Sequence, residues 1–264
     1  MSKIRVDLLL VERGLADSRS QAQRLVMAGQ VRANGQMVPK PATTVEPDAL
    51  LEVDHGPPFV SRGGEKLEAA LASFYVSVKG CICADVGAST GGFTDCLLKN
   101  EAQRVYAIDV GHGVLHWKIR QDPRVIVMER TNARSVEKLP EPIDLVTIDA
   151  SFISLKILLP VVKGWFSSRG GQVLALIKPQ FEAGRAEANR GSGVIRDPAV
   201  HRRILWDLLH FAQQEGFSIQ GLIRSPLLGP KGNVEFLVHL EFPGETHSVL
   251  ETLIESVTTV PEQQ

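Results

Sequence analysis

Apolar residues recur at helical spacing over residues 6–15 and again over residues 20–28, which predicts two short helices. Two short apolar runs then flank Asn34 and Gly35, the dipeptide that most strongly favours a tight β-hairpin. Residues 50–53 predict one further strand. Residues 1–55 are therefore predicted to form a small α+β unit with the order helix, helix, hairpin, strand.

A glycine- and proline-rich stretch follows, and we place a linker at residues 56–63. Beyond it, strand and helix patterns alternate up to residue 243. This alternation predicts an α/β fold, a doubly wound and mostly parallel sheet that binds ligands at the carboxyl ends of its strands. A last amphipathic helix is predicted in the tail, 244–264. The predicted strands are 81–86, 104–109, 124–128, 144–149, 172–177, 217–224 and 234–242, and the predicted helices are 64–74, 92–99, 153–165 and 198–215.

Composition narrows the class of protein. Of the 264 residues, 44% are hydrophobic and 22% charged, as in soluble globular proteins. The sequence contains no stretch typical of a signal peptide or membrane span, and three cysteines give no disulfide framework, so a cytoplasmic monomer is expected. The net charge is −1, but the segment from Lys3 to Lys40 carries seven Lys or Arg against three acids, which allows a local basic face.

A glycine-rich loop follows the first strand of the larger unit. A dinucleotide fingerprint needs Gly-x-Gly-x-x-Gly, whereas this loop has Ser89 at the second of those positions. Its spacing resembles the Asp-x-Gly-x-x-x-Gly motif of S-adenosylmethionine (SAM)-dependent methyltransferases. An acid after the second strand, Asp109, is placed to accept hydrogen bonds from ribose hydroxyls. The candidate SAM-binding residues are Asp85, Gly87, Ser89, Gly91, Gly92, Phe93, Asp109, Asn132 and Asp149.

The chemistry of the methyl acceptor is narrowed by exclusion. The fourth strand ends in Asp-Ala-Ser-Phe rather than the Asp/Asn-Pro-Pro-aromatic motif of exocyclic-amine methyltransferases. Methyltransferases that act on carbon 5 of a pyrimidine need a cysteine nucleophile near the end of a later strand, whereas the cysteines here fall in the first strand and the next helix. A zinc site is also excluded, because Cys-x-Cys lacks two further ligands. A hydroxyl acceptor remains, and it requires alignment and a group that takes its proton. Lysine can do this, and Lys178 ends the fifth strand.

Five segments carry a resemblance to a known family: VSRGGEKL, DVGASTGGFTDCLL, TIDASFISL, LIKPQFE and KGNVEF. They resemble the TlyA/hemolysin A family of ribosomal RNA 2′-O-methyltransferases. Lys66, Asp149, Lys178 and Glu235 match in order the Lys-Asp-Lys-Glu tetrad of FtsJ-type ribose methyltransferases. The resemblance implies that Lys178 activates the 2′-hydroxyl, that Asp149 positions it, and that the other two tune the pair. The alternative for Lys66 and Glu235 is a surface ion pair, and the alternative for Asp149 and Lys178 is a merely structural role.

Residues 5–53 resemble an S4 domain, a small RNA-binding module. The resemblance implies that its helix pair presents basic side chains to structured RNA, since Arg pairs with phosphate and stacks on bases. The alternative is that these arginines lie on solvated helix faces. The candidate RNA contacts are Arg5, Arg19, Arg24, Arg32 and Arg62.

Three functions stand at this point. The favoured one is SAM-dependent 2′-O-methylation of ribosomal RNA, with ribosomal RNA or subunits as the partner. A non-catalytic RNA-binding or ribosome-assembly factor is the second, and a membrane-active hemolysin, without a membrane span or cationic amphipathic helix to support it, is the third. A long glycine-containing stretch at 180–197, with Arg185, Arg190 and Arg196, is expected either to order around RNA or cofactor or to be a mobile loop.

Overall fold

The structure is a computed structural model, and it describes residues 3–54, 56–184, 193–245 and 249–259. The chain divides into two compact units, 1–58 and 59–264. Each unit has its own apolar core, so each is described by itself.

The N-terminal unit packs two helices against short strands. Ser18 begins the second helix, because its side chain accepts a hydrogen bond from the Gln21 amide. Asn34 and Gly35 both have positive φ, 51° and 77°, as a tight hairpin requires. The predicted order lacked the antiparallel pairing of residues 4–5 with residues 44–45. The elements are β1 (Ile4–Arg5), α1 (Val6–Glu12), α2 (Arg19–Met27), β2 (Val31–Ala33), β3 (Gln36–Met37), β4 (Thr44–Val45) and β5 (Leu51–Val53).

The larger unit is built on a seven-stranded sheet with the order β11-β12-β10-β9-β6-β7-β8. The pairings among β8, β7, β6, β9 and β10 are parallel, whereas β12 runs antiparallel to both of its neighbours. The doubly wound, mostly parallel sheet predicted from the alternation is confirmed. Its strands are β6 (Ile82–Val86), β7 (Arg104–Ile108), β8 (Val125–Met128), β9 (Leu145–Ile148), β10 (Gly171–Ile177), β11 (Ser218–Arg224) and β12 (Phe236–Phe242).

Helices flank this sheet, and two apolar clusters fill the space between helices and strands. The predicted helix at 153–165 is shorter, because Ser154 caps it and its last turn is a 3₁₀ helix, Lys163–Trp165. In the tail, the described residues 249–259 contain one helix, Leu250–Thr258. The helices are α3 (Gly63–Phe74), α4 (Gly92–Lys99), α5 (Trp117–Arg120), α6 (Leu155–Val162), α7 (Pro179–Glu182), α8 (Pro198–Gln214) and α9 (Leu250–Thr258).

The parallel strands present their carboxyl ends at one edge of the sheet, where ligands of doubly wound folds bind. Asp85 and Val86 end β6, Asp109 follows β7, Asp149 follows β9 and Lys178 follows β10. Across the described ranges, no helix is both long and apolar enough to cross a membrane.

Candidate active site and RNA-binding surface

The loop between β6 and α4 lies very close to neighbouring backbone. A Cβ added at Gly87 (φ +84°) would lie 2.8 Å from the Asp149 carbonyl oxygen, so a side chain there would collide with the end of β9. Gly91 (φ +95°) precedes α4, and its space is filled by Leu115 and Ile119. Glycine is therefore required at both positions, since L side chains rarely adopt this φ.

The carboxylate of Asp109 connects this loop to the next strand end. Its Oδ2 accepts a hydrogen bond from the Ser89 amide at 2.8 Å, and its Oδ1 accepts one from the Gly111 amide at 2.7 Å. Each carboxylate oxygen can accept a second hydrogen bond. Asp109 therefore keeps capacity for a pair of ligand hydroxyls while the loop holds it in place.

Asp85 lies under the loop rather than in it. Its side chain is fully buried and accepts hydrogen bonds from the hydroxyls of Thr94, at 2.6 Å, and Thr147, at 3.0 Å. Burial raises the pKa of the Asp85 carboxyl to about 7, against the opposing effect of the two hydroxyls. Asp85 thus joins β6, α4 and β9, and the geometry supports a role in holding the loop rather than direct contact with a ligand.

Two cavities flank the loop. One, of about 230 Å³, is lined by Gly87, Ser89, Gly92, Phe93 and Asp149 together with Ser61, Arg62 and Lys66. The other, of about 570 Å³, is lined by Gly87, Ser89, Asp109, Asn132 and Asp149. Their described linings include every predicted SAM-binding residue except Gly91 and Asp85, of which Asp85 is buried under the loop. Volumes of this order are typical of small-molecule sites.

Lys66 and Glu235 form a buried ion pair. Lys66 Nζ donates a hydrogen bond to Glu235 Oε2 at 2.6 Å, and the two side chains are 11% and 1% exposed. Gly229 crowds this pair, since a Cβ there would lie 2.5 Å from Glu235 Oε1. The surface ion pair considered for these two residues is therefore wrong, because both side chains are enclosed.

Lys178 and Asp149 form a second pair on the same side of the sheet. Lys178 Nζ lies 2.7 Å from Asp149 Oδ1, and it donates hydrogen bonds to the Asp149 carbonyl oxygen and to Ser151 Oγ at 3.3 and 3.0 Å. Within the described chain, this buried oxygen has no hydrogen-bond partner despite its closeness to Nζ. Charge attraction therefore holds the pair, and the oxygen remains able to accept a hydrogen bond from a substrate.

A third cavity, of about 460 Å³, has all four predicted catalytic residues in its wall. Asp149 also lines both of the cavities beside the loop, so it stands where the three meet. The third cavity includes residues that the sequence argument did not single out. These residues are Ser151, Phe152, Gln180, Phe181, Gly193, Pro230, Lys231 and Asn233. Phe152, Phe181 and Asn233 lie in segments that carried the resemblance to the methyltransferase family.

In the N-terminal unit, two of the predicted RNA contacts converge on one carboxylate. Asp7 is fully buried, and the guanidinium of Arg5 donates to both of its oxygens, at 3.0 and 2.9 Å. Arg19 and Gln23 each donate to Asp7 Oδ2 at 3.1 Å. The Arg5 guanidinium holds the pKa of the Asp7 carboxyl well below its usual range. The arginine side chains remain 39% and 53% exposed, so they present an oriented cationic surface.

The other predicted contacts are not part of this cluster. Arg24 is exposed on α2, and Arg32 on β2 donates to the Gly35 carbonyl oxygen. Arg62 lies in the larger unit, where it lines the cavity of about 230 Å³. Arg196 is exposed, whereas Arg185 and Arg190 lie outside the described residues.

The fold and the cavities define a Rossmann-type methyltransferase domain. An FtsJ-like methyltransferase model matches residues 59–242, and an S4 domain model matches residues 4–51. The chain therefore belongs to the FtsJ-like methyltransferase family and carries an S4 domain at its N-terminus.

Similar proteins share both parts. The chain is 47% identical over 268 residues to YqxC of Bacillus subtilis (strain 168), covering 99% of this chain and 94% of that one. It is 47% identical over 242 residues, 90% of each chain, to the 16S/23S rRNA (cytidine-2′-O)-methyltransferase TlyA of Mycobacterium tuberculosis (strain ATCC 25618 / H37Rv). A solved structure from Streptococcus thermophilus that carries a hemolysin name matches with a TM-score of 0.71 and 44% identity, covering 97% and 96% of the two chains.

Proposed function

We propose that this protein methylates the ribose 2′-oxygen of a cytidine in ribosomal RNA, with SAM as methyl donor. The observation that carries the proposal is the position of Asp149, which lines the two cavities beside the glycine loop and the cavity of the four charged residues. A donor on one side and an acceptor on the other would meet at this carboxylate. The choice of cytidine and ribosomal RNA is supported by the TlyA relative, which is named for that reaction.

The residues around the loop fit SAM. Asp109 would accept hydrogen bonds from the ribose hydroxyls, and the backbone of Gly87 and Ser89 would lie against the amino-acid part. Asn132 lines the cavity of about 570 Å³ and would border the adenine there. When bound, SAM supplies a methyl group on a positively charged sulfur.

The tetrad would supply the remaining chemistry. Asp149 would position the 2′-hydroxyl so that its oxygen points towards the methyl carbon. Lys178 Nζ, which lies 2.7 Å from Asp149 Oδ1, would take the hydroxyl proton as the methyl group is transferred. The Lys66–Glu235 pair lines the same cavity and would hold the acceptor in line, which contributes by restricting its orientation.

We further propose that residues 1–55 deliver the RNA and that residues 64–243 carry out the transfer. The Arg5–Asp7–Arg19 cluster supports this division, because two exposed guanidinium groups held by one buried carboxylate suit a phosphate. Arg24, Arg32 and Arg62 would add contacts of the same kind.

The test is transfer of labelled methyl from SAM to ribosomal subunits from a strain that lacks this gene. Wild type, Lys178→Ala and a control with an exposed lysine removed, Lys79→Ala, are assayed side by side. We expect label in a dinucleotide that resists alkaline hydrolysis, with wild type and Lys79→Ala equal and Lys178→Ala inactive. Label in a base, or undiminished label with Lys178→Ala, would contradict the proposal. An absence of SAM binding would instead favour a non-catalytic RNA-binding factor.

A further inference from the structure

The segment after β7 is fixed to the glycine loop by buried neighbours. Leu115 and Ile119 are 6% and 4% exposed, and both lie against Gly91. The His116 amide donates a hydrogen bond to the Thr90 carbonyl oxygen at 3.1 Å, and Thr90 lines the same cavity as Lys66. The side chain between the two anchors, Trp117, is therefore held in a defined place beside that cavity.

The Trp117 side chain points outward. It is 61% exposed, and its ring stacks on His116 with centroids 5.9 Å apart and planes 30° apart. Lys118 Nζ lies 5.8 Å from the indole centroid. An indole that stays mostly in solvent on a rigid support has a large free aromatic surface, which is a common feature of binding sites.

The charge around Trp117 favours a polyanion. Residues 110–121 contain no Asp or Glu. Glu129, a carboxylate that contacts this segment, is only 11% exposed, because the Gly113 amide, Arg120 and His112 surround it. Asp122, just after the segment, pairs with Arg124. The Gly113 amide and then Arg120 lower the pKa of Glu129 to about 2, so its charge is matched by Arg120. Lys118 forms no ion pair with any described residue, and its charge is available to a phosphate.

A second exposed tryptophan of the same unit provides the contrast. Trp206 on α8 is 40% exposed and also stacks on a histidine, His210, with centroids 6.4 Å apart. Trp206 shares its groove with Glu251 and Glu255 of α9 and with Arg202 and Arg203, so acidic and basic side chains are balanced there and give no net attraction for RNA. The two tryptophans have similar aromatic support, but only Trp117 lies beside the glycine loop in a segment free of acids.

We propose that Trp117, supported by His116 and flanked by Lys118, is a stacking platform for an unpaired base of the RNA substrate. The inference rests on the proposed function, because it supposes an RNA whose target ribose enters the cavity of about 460 Å³, which shares Lys66 and Asp149 with the cavity beside Trp117. Bases of single-stranded RNA stack on exposed aromatic side chains in this way whatever their identity. Lys118 would contact the phosphate next to the stacked base.

The first test compares steady-state methyl transfer to ribosomal subunits by Trp117→Leu, Trp117→Phe and Trp206→Leu in the full-length protein. We expect Trp117→Leu to raise KM for the subunit about 5- to 100-fold with kcat and SAM affinity unchanged. Trp117→Phe should stay close to wild type, because phenylalanine keeps an aromatic face, and Trp206→Leu should match wild type. Unchanged KM in Trp117→Leu would overturn the inference and leave the proposed function standing.

A second test does not depend on catalysis. A photoreactive benzoyl-phenylalanine is placed at position 117, and in a control protein at position 206, and each is irradiated with ribosomal subunits. An adduct at 117 that ribonuclease removes supports the platform, whereas a protein adduct or no adduct overturns it. If wild type labels no RNA at all, the proposed function fails, and this crosslink still decides whether Trp117 binds RNA.

Discussion

Each unit of the molecule contains a cluster of carboxylates and cations, and the two clusters are built in opposite ways. In the larger unit the cations are enclosed, since the side chains of Lys66 and Lys178 are each 11% exposed and face a cavity. In the N-terminal unit the carboxylate of Asp7 is enclosed, while Arg5 and Arg19 are 39% and 53% exposed.

This difference in exposure suits the enclosed cluster to chemistry and the exposed cluster to binding. An enclosed amine interacts with a small group that enters its cavity, and low polarity around it strengthens that interaction. An exposed guanidinium reaches a macromolecular phosphate, and its orientation is set in advance by the buried carboxylate. Substitutions in the first cluster should therefore change turnover and stability, and substitutions in the second should change RNA affinity and its salt dependence.

The largest effect is expected from removing the buried counter-ion. Glu235→Ala leaves Lys66 enclosed and unpaired, which should lower the free energy of unfolding by about 3–5 kcal/mol and abolish methyl transfer. Urea unfolding measures this change. Glu101→Ala, which removes the partner of the exposed Lys79, is the matched control and should leave unfolding unchanged. Equal effects of the two substitutions would contradict the distinction between buried and exposed pairs.

A smaller effect is expected where backbone crowds the same carboxylate. Gly229→Ala places a methyl group 2.5 Å from the original position of Glu235 Oε1 and should push the carboxylate away from Lys66. We expect kcat to fall roughly tenfold or more, since small displacements at a reacting centre are costly, with SAM affinity unchanged. Gly164→Ala, whose added methyl group would have its nearest neighbour at 3.9 Å, is the control. An unaltered kcat in Gly229→Ala would show that the position of Glu235 matters little.

In the N-terminal unit the arginines can be separated by what they contact. Arg5→Ala or Arg19→Ala should weaken binding to ribosomal subunits and reduce the slope of log affinity against log salt by about one, with kcat unchanged. Arg13 is the control, because it donates to the carbonyl oxygens of Ala49 and Pro47 within the unit. Arg13→Ala should lower the melting temperature and preserve the salt slope. Filter binding at several salt concentrations would refute the assignment if all three slopes were equal.

The smallest effect is expected in the dependence of the free energy of unfolding on pH in the acidic range. The pKa of the Asp7 carboxyl is lower in the folded protein than in the unfolded chain, so its contribution to stability is complete above about pH 4. That contribution is lost progressively as the pH falls below this value. Asp7→Asn should therefore be less stable at neutral pH and should show a flatter dependence of unfolding free energy on pH between about 4 and 2. Parallel pH profiles for wild type and variant would exclude this role.

Much of the local structure could be predicted because local rules decide it. Asn34 and Gly35 have the positive φ of a tight hairpin, and Ser18 caps the helix that was expected to start near it. The glycine loop lies at the first strand-to-helix turn of the larger unit, as its spacing predicted. The predicted helix at 153–165 was too long, because apolar periodicity continues through the 3₁₀ turn Lys163–Trp165 that follows the α-helix.

The candidate site was predicted only as a set of residue types at strand ends and helix starts. Asp85 was expected to contact the cofactor, but hydroxyls from α4 and β9 enclose it instead. Arg5 and Arg19 were expected as separate contacts, and the shared carboxylate of Asp7 was not foreseen. Side-chain hydrogen bonds between distant residues leave no periodic pattern in a sequence. The hydrogen bonds around Asp85 and around Asp7 could therefore not be predicted from it.

The sequence by itself determined the periodicities, the turns and the residue types that carry charge, because these follow from steric rules acting over a few neighbouring residues. Only the tertiary structure decided which charges meet. Lys66 and Glu235 are 169 positions apart, and they pair because α3 packs against β12, which lies antiparallel next to β10. Burial then separates the two clusters: enclosure leaves the lysines facing a cavity, and exposure leaves the arginines facing solvent.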